Sequence, residues 1–526
     1  MKIVKYILVI LAIVSFTSCT EKFDEMNVNP NAQTTGESAF LLTGAQITAA
    51  RSILDDYNAG IGKWVQYYTH TTTDNTAFWH KSGNDINHYW NYYSFYVDIL
   101  PNLEEIKKNC EKVRNPNYYA IAEIMEAWSW NYLVDMWGSI PYTDALQGNT
   151  SYGEDEQYVF PDFDSEEFIY KDLISRLMAA NDSIDADPDS DFAIAGASDI
   201  YAGGDMVAWQ QFANSLTLRM LMRMSDVDET YAKPLFEQII ANSSMYPLIE
   251  DNTEDFGIVW IGGNVSPFEN IVSKMYLDSE RTYAASTGSL HYLATMDDPR
   301  LPALIDPAQD YTDAGNPKYV GCPIAFDADN PSGFIEIPRD SISNIAVGTY
   351  GDPTRQEDII TYSEMQFIFA EAAEKGWTGL ANTAEDYYME GIEASMLKLG
   401  VFTSGAFNTY YSQAEVDYAA VADGLNAIYL QRYLAQFGQS ANTFAMIRRT
   451  GQPALDYFQI GDDSENGYPC RVKYTGPMVS TPQFEEVSVG IIDNLWGKKI
   501  FWAENAPAVG MYNASIQTGI VEYDVN

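Results

Sequence analysis

The stretch from Asn117 to Leu146, NYYAIAEIMEAWSWNYLVDMWGSIPYTDAL, constrains the fold of this chain more than any other. Ile121, Ile124, Met125, Trp128, Tyr132 and Met136 recur every three or four residues, the spacing that lines up one face of an α-helix. Ala127, Leu133, Val134 and Trp137 widen that face. A helix with so broad an apolar surface has to be covered on more than one side. Gly138 follows as a C-terminal stop, and Pro141 prevents the helix from resuming. Periodicity alone therefore supports a core helix of an all-helical protein, ending on a rigid loop.

The same pattern recurs along the chain. Helical period runs over Ala39–Asp56, and a second helix is predicted over Ile61–Tyr68. Further helices are expected over Tyr89–Lys112, Ser165–Ser183, Met206–Ser225 and Glu229–Ser243, with Asp205 as an N-cap. Arg219 and Arg223, four apart on one of them, are expected to pair with acidic neighbours. Tyr246–Gly351 has little period and many Gly, Pro, Asp and Asn residues. It is too long for a plain loop and predicts a lobe of short strands and turns laid on the helices. Helicity returns at Thr361, where Thr361 and Glu364 have capping-box spacing. Tyr362–Lys375 stops at Gly376; Glu385–Leu399 and Ala420–Phe437 follow. Gln439–Asn526 reads as mixed and rich in turns. Helix pairs, an irregular insertion and more helix pairs are the layout of a degenerate helical-repeat protein, although no strict 34-residue repeat is legible. At 526 residues, such a body could be one large unit or two to three lobes.

Charge excludes several partners. Thirty Lys plus Arg stand against 74 Asp plus Glu, a formal net charge of -44. Such a surface repels nucleic acid, and it repels an anionic bilayer unless another device holds the chain there. The N-terminus supplies one. Lys2 and Lys5 precede the short apolar run Ile3–Val14, which is too short to span a bilayer. Ser15-Phe16-Thr17-Ser18-Cys19 then places small residues directly before a cysteine. The segment resembles a bacterial lipobox, with Phe16 where Leu is usual. That resemblance implies a signal peptide over 1–18, cleavage before Cys19 and a lipid on its thiol, with hydrocarbon burial anchoring the protein. Residues 19–38 (TEKFDEMNVNPNAQTTGES after Cys19) read as a polar tether. Cys110, Cys322 and Cys470 are scattered without metal-ligand spacing and read as small buried hydrophobes.

No nucleotide-binding glycine loop, zinc-protease motif or nucleophile elbow occurs in a credible context. His70, His80 and His88 are spaced by ten and eight residues, which matches no helix-borne metal site. Neither a cofactor nor a metal is expected. With 74 acidic residues, carboxylate pairs are inevitable, so none marks a glycosidase. The positive signal is aromatic. Eleven aromatic residues fall between Trp64 and Tyr96, more than twice what the chain-wide 14% would place there. Those at helical spacing (Trp64, Tyr67 and Tyr68; Tyr89, Tyr92, Tyr93 and Tyr96) read as core. Phe78 and Trp79 lie outside any period, beside Asp74, Asn75 and His80. Sugar rings stack apolar C–H faces on such rings while their hydroxyls seek amides and carboxylates. Asp74, Asn75, Phe78, Trp79, His80 and Trp90 are therefore the candidate ligand-binding residues, with Trp90 able to face either way.

The ordered set of the lipobox, FDEMNVNPN, AWSWNYLVDMWGSIPYTDAL (127–146), GDMVAWQQFANSLTLRMLMRMS (204–225), TYSEMQFIFAEAAEKGW (361–377), YMEGIEASML (388–397), RRTGQP (448–453) and RVKY (471–474) resembles the SusD/RagB family of nutrient-binding outer-membrane lipoproteins, in its more divergent SusD-like branch. The closing pattern departs from the family, since Thr475 stands where Pro follows the tyrosine. The resemblance implies a mainly α fold, tetratricopeptide-like helix pairs forming a right-handed scaffold, with an irregular loop and short-strand lobe on one face. Residues 39–526 would form the nutrient-binding domain. It also implies a glycan or oligosaccharide ligand bound without chemistry, a SusC-like TonB-dependent transporter as partner, and a lipid-anchored place on the surface of a Gram-negative, Bacteroidetes-type cell. A surface glycoside hydrolase on a helical scaffold, a scaffold with only protein partners, and a peptide-binding member of the same family are the alternatives.

Overall fold

The computed structural model describes residues 37–59, 61–70, 92–147, 160–263, 266–277, 283–322, 338–456, 467–492, 495–512 and 521–524. Residues 1–36 are outside it, so the predicted signal peptide, Cys19 and the tether up to that point lie outside the described residues. Among the described residues, the helices of eight residues or more are α1 (Ser38–Ala59), α2 (Leu100–Lys112), α3 (Pro116–Trp137), α4 (Glu166–Ser183), α5 (Met206–Met224), α6 (Glu229–Ala241), α7 (Thr287–Thr295), α8 (Tyr362–Glu374), α9 (Ala384–Lys398), α10 (Ser404–Tyr411), α11 (Gly424–Ala435) and α12 (Ser440–Thr450). Short strands lie between them: β1 (Tyr68–His70), β2 (Phe256–Val259), β3 (Tyr283–Ala285), β4 (Ile305–Asp306), β5 (Lys318–Gly321), β6 (Asn344–Ile345), β7 (Gln356–Ile360) and β8 (Val521–Asp524). The mainly helical fold expected from the sequence is what is found.

Local chemistry explains the principal helix boundaries. Asn115 opens α3 by accepting from the Asn117 and Tyr118 amides, and Pro116 occupies the first turn, where a missing N–H costs nothing. Ser165 caps α4, Asp205 caps α5, and Thr383 with Asp386 makes a reciprocal capping box on α9. Consecutive helices pack as neighbours, α2 on α3, α3 on α4, α4 on α5 and α5 on α6. A second group places α8 against α9 and α11 and joins the first through α5. Gly391 lets α8 and α9 approach, because a Cβ there would meet the Phe367 ring at 2.7 Å. Both α3 and α5 are buried nearly all round, as the breadth of their apolar faces predicts.

The lobe between Tyr246 and Gly351 carries short strands as expected, in a four-stranded sheet ordered β1-β3-β6-β4. β5 pairs with β8 and β2 with β7, all antiparallel. It is more helical than expected, since α7 lies within it. The predicted helix over Ile61–Tyr68 is also corrected. It ends at Trp64, Gln66 turns into the left-handed region (φ 60), and Tyr68–His70 leaves to pair with Tyr283–Ala285. Gln66 is held there by its own side chain, which donates to Asp456 O and accepts from Asp456 N. Ala420–Phe437 contracts to Gly424–Ala435. Gln439–Asn526, read as turn-rich, opens with the regular helix α12.

Buried charges stitch the two helix groups together. Glu364 was expected to close a capping box, and Thr361 does accept from the Glu364 amide. The Glu364 carboxylate points inward instead, bound by Arg219 at 2.9 and 2.6 Å and by Arg432 at 2.7 Å. Arg449 makes two bonds to Glu371, and Arg223 pairs with Asp135. Arg219 and Arg223 are thus paired with acidic residues, as predicted. Trp64, Tyr67, Tyr68, Trp128, Trp130 and Trp137 are core, again as predicted, while Tyr93 is exposed. None of the three described cysteines forms a disulfide; Cys322 is buried as expected, and Cys110 and Cys470 only partly so.

Candidate functional site

Asp74, Asn75, Phe78, Trp79, His80 and Trp90 all lie outside the described residues. Both flanks of that stretch are described. On one side His70 pairs with Tyr283 at the edge of the lobe sheet. On the other, the Tyr92 ring packs 5.3 Å from Trp137 and 4.5 Å from Tyr96. At the end of the aromatic stretch, Tyr96 enters a large concavity.

That concavity is a groove of about 970 Å³ between α2, α3, the turn following α3, and α4. It falls in the size range of small-molecule sites. Its apolar surface is a run of rings set edge to face: Tyr96 to Trp130 at 5.3 Å, Trp130 to Tyr142 at 5.1 Å and Tyr142 to Phe168 at 6.4 Å. Trp130 lies deep, Tyr96 and Tyr142 are half-buried, and Phe168 stands at the rim with 49% of its surface exposed. The Tyr96 hydroxyl donates to Pro141 O at 2.7 Å, fixing its ring to the turn that Gly138 and Pro141 create. Those two residues were predicted to make a rigid exit from α3, and the turn that follows them, Tyr142 to Gln147, lines the groove.

Carboxylates ring the aromatics. Arg176 donates to Glu123 at 2.8 Å and to the Tyr142 hydroxyl at 2.9 Å, and it also pairs with Glu126. Lys107 reaches Glu126 at 2.7 Å, Glu104 at 2.8 Å and Glu123 at 3.2 Å. Tyr142 donates in turn to Asp172. Burial opposes charge on Glu123, but Arg176 and then Lys107 outweigh it and hold its carboxyl below the usual range. At Glu126 burial wins over the same two cations and lifts the carboxyl to about 7. One of its oxygens, Oε1, is buried without a hydrogen-bond partner. Glu123, Glu126 and Asp172 are thus each engaged by neighbouring side chains of the groove wall.

A second cleft, lined by Trp128, Tyr132, Tyr201, Arg355, Asp358 and Asn442, encloses about 60 Å³. It has room for a few waters and not for a sugar ring. Among the described residues no group of three or more His, Cys, Asp or Glu is gathered to hold a metal ion. No helix among them is long and apolar enough to cross a membrane.

The sequence singled out none of Tyr96, Trp130, Tyr142 and Phe168 as a binding residue, and Tyr96, expected in the core from its helical spacing, is only half-buried and lines the groove. Trp130 reads as core by period, and the other three come from separate segments that only the packing of α2, α3 and α4 brings together. The one available signal was the density of aromatics leading up to Tyr96.

Comparison with known proteins gives a consistent picture. A family model described as SusD-like, starch-binding associating with outer membrane, matches residues 30–475. No curated protein sequence matches the chain. Among solved structures, a chitin-binding protein is similar at 22% identity with a TM-score of 0.74, covering 89% of this chain and 100% of that one. A chitin-binding SusD homolog from Flavobacterium johnsoniae is 20% identical with a TM-score of 0.70, over 89% of this chain and 98% of its own. A SusD homolog from Bacteroides vulgatus is 21% identical, again with a TM-score of 0.70, over 85% and 92%.

Proposed function

The chain belongs to the SusD-like family, and from that premise we propose that it is a cell-surface binding protein that captures glycans or oligosaccharides and passes them to a SusC-like TonB-dependent transporter. The carrying observation is the family match over residues 30–475, whose description couples starch binding to the outer membrane. The structure supports it with a groove of ligand size faced by aromatic rings, a surface suited to sugar C–H faces. Residues 1–18 are the signal peptide, Cys19 carries the lipid, and 19–38 tether the domain 39–526 to the outer membrane. Hydrocarbon burial at Cys19 offsets the repulsion between a chain of net charge -44 and an anionic bilayer. Asp74, Asn75, Phe78, Trp79, His80 and Trp90 form part of the ligand surface, next in the chain to the groove-lining Tyr96. Capture proceeds without turnover.

Isothermal titration of the mature chain against neutral maltooligosaccharides and chitooligosaccharides tests this reading. At least one class is expected to bind, and Trp79→Ala to weaken it about tenfold, near 1.4 kcal/mol. Silence across the panel would remove glycan capture. Release of shorter products during the titration would instead favour the hydrolase alternative.

A further inference from the structure

We propose that Asp255, Asp358 and Lys398 form a proton-dependent clamp that fastens the β2–β7 sheet to helices α8 and α9 and tightens in mildly acidic medium. The inference does not depend on what the protein captures.

Three elements meet at one ammonium. Lys398, the last residue of α9, donates to Asp255 at 2.6 Å and to Asp358 at 2.7 Å. Asp255 stands directly before β2, and Asp358 lies on β7. The two aspartate side chains are only 3% and 7% exposed. Asp255 also accepts from the Tyr362 amide at 2.6 Å, in the first turn of α8. Gln356 donates to Asp358 at 3.0 Å and to the Asp255 carbonyl at 2.8 Å. The other charges around the sheet have partners of their own. Arg355 pairs with Glu357 at 2.7 Å, and Arg219 of α5 pairs with Glu364. Asp251 and Glu254, on the turn before β2, accept from backbone amides of that turn. Two buried carboxylates thus share one cation, and one negative charge is in excess.

Carboxylates this close repel each other, and burial disfavours the second charge. Burial above all lifts the Asp255 carboxyl, which reaches about 6; Lys398 pulls it down and Asp358 pushes it up again. Burial also disfavours the Lys398 charge, but Asp358 and Asp255 outweigh it, so the ammonium persists. Glu357, the neighbour of Asp358, is raised as well, chiefly by burial. The proton taken up on acidification belongs to the aspartate pair rather than to one oxygen. When the sheet lifts, Asp255 meets water and returns to the ordinary value of about 3.9. Between those two values the closed form binds more protons than the open one. Acid therefore favours closure, and rising pH loosens the clamp. The β2–β7 sheet supplies Ile258, Arg355, Asp358 and Ile359 to the second cleft, so the clamp sets how firmly that wall is held.

Hydrogen exchange of the mature chain, read by mass spectrometry and corrected for intrinsic rates, tests this between pH 5 and 7.5. Protection of the β2–β7 amides is expected to be about tenfold greater at pH 5 than at pH 7, the ratio that one proton bound at about 6 when closed and about 3.9 when open gives. Peptides from α5 serve as the internal reference. Asp358→Asn leaves one carboxylate on the ammonium and should flatten the pH dependence. Lys398→Met removes the cation and should move the transition to higher pH. Glu357→Gln should leave most of the dependence in place. Equal protection at both pH values, protection that falls on acidification, or a dependence that survives Asp358→Asn overturns the proposal. Loss of the dependence in Glu357→Gln alone overturns it too, by placing the proton outside the clamp. Asp358→Asn nearly preserves shape, so it decides the matter even where Lys398→Met does not fold.

Discussion

Glu364→Gln would keep the shape of the core and remove one charge from its centre. Glu364 is fully buried and accepts from two guanidiniums, Arg219 from α5 and Arg432 from α11. An amide can accept at one atom only, so both arginines would compete for its single oxygen and part of their charge would be stranded without water. Breaking a buried pair in this way costs about 3–5 kcal/mol, because a buried charge is left uncompensated. Against a typical total of about 5–15 kcal/mol, that is a fifth or more of the stability. Urea unfolding followed by tryptophan fluorescence reads it directly, as a fall in the midpoint at unchanged slope. The triple variant Glu364→Leu/Arg219→Met/Arg432→Met removes all three charges and is expected to recover most of the loss. A drop below about 1 kcal/mol in Glu364→Gln, or a triple variant no better than the single one, would refute the reasoning. Acid titration gives an independent check. Burial disfavours the Glu364 charge, but Arg219 and then Arg432 outweigh it and lower its pKa in the folded state. Its contribution is therefore complete above the unfolded value of about 4.3 and is lost as pH falls through the lower folded value. The wild-type chain should lose stability more steeply on acidification than Glu364→Gln.

Gly138→Ala should destabilise by at least about 1–3 kcal/mol, because φ 94 suits glycine alone and a Cβ would meet Arg471 Nη1 at 2.5 Å and Glu166 Oε1 at 2.6 Å. Hydrogen exchange should then rise at the Val472 amide, which donates to Met136 O at 2.7 Å. Cys322, whose thiol burial pushes up to about 12, should resist iodoacetamide in the folded chain and react once urea is added. Cys19→Ala should move the expressed protein from the membrane fraction to the soluble fraction, and equal partition of variant and wild type would remove the proposed anchor.

The helices were legible because their signals are local: an apolar stripe, a capping side chain, a glycine stop. α12 escaped notice because Arg448 and Arg449 make its last turn look polar. Both are buried, and their acceptors come from far away, Asp135 O and Cys470 O for Arg448, Glu371 and Asp226 for Arg449. Glu364 misled for the same reason. Its distance from Thr361 fits a capping box, and only the arrival of Arg219, 145 residues away in sequence, turns it inward. At Ile61–Tyr68 a locally helical pattern yielded to a long-range strand pairing with Tyr283–Ala285. The groove shows the limit most plainly. Trp130 and Tyr142 carry no sign in sequence that they share a surface with Phe168, since that depends on how α3 meets α4. The family resemblance reached further than periodicity because it reads order along the chain.

The RVKY segment that closes the family pattern clasps the end of α3. Arg471 donates to Trp137 O, Tyr474 to Ser139 O, and the Trp137 indole to Lys473 O. Asp135, one turn earlier, depends on Arg223, Tyr170 and Trp502, and Arg448 donates to its backbone carbonyl. The buried charge near the end of α3 is therefore incomplete until more than 300 further residues have been made. Contacts of such sequence separation form late, because their loop-closure entropy must be met first. For a chain exported as proposed above, that delay would keep the N-terminal half loose enough to thread a translocation pore, with the fold locking when the last segment arrives on the far side.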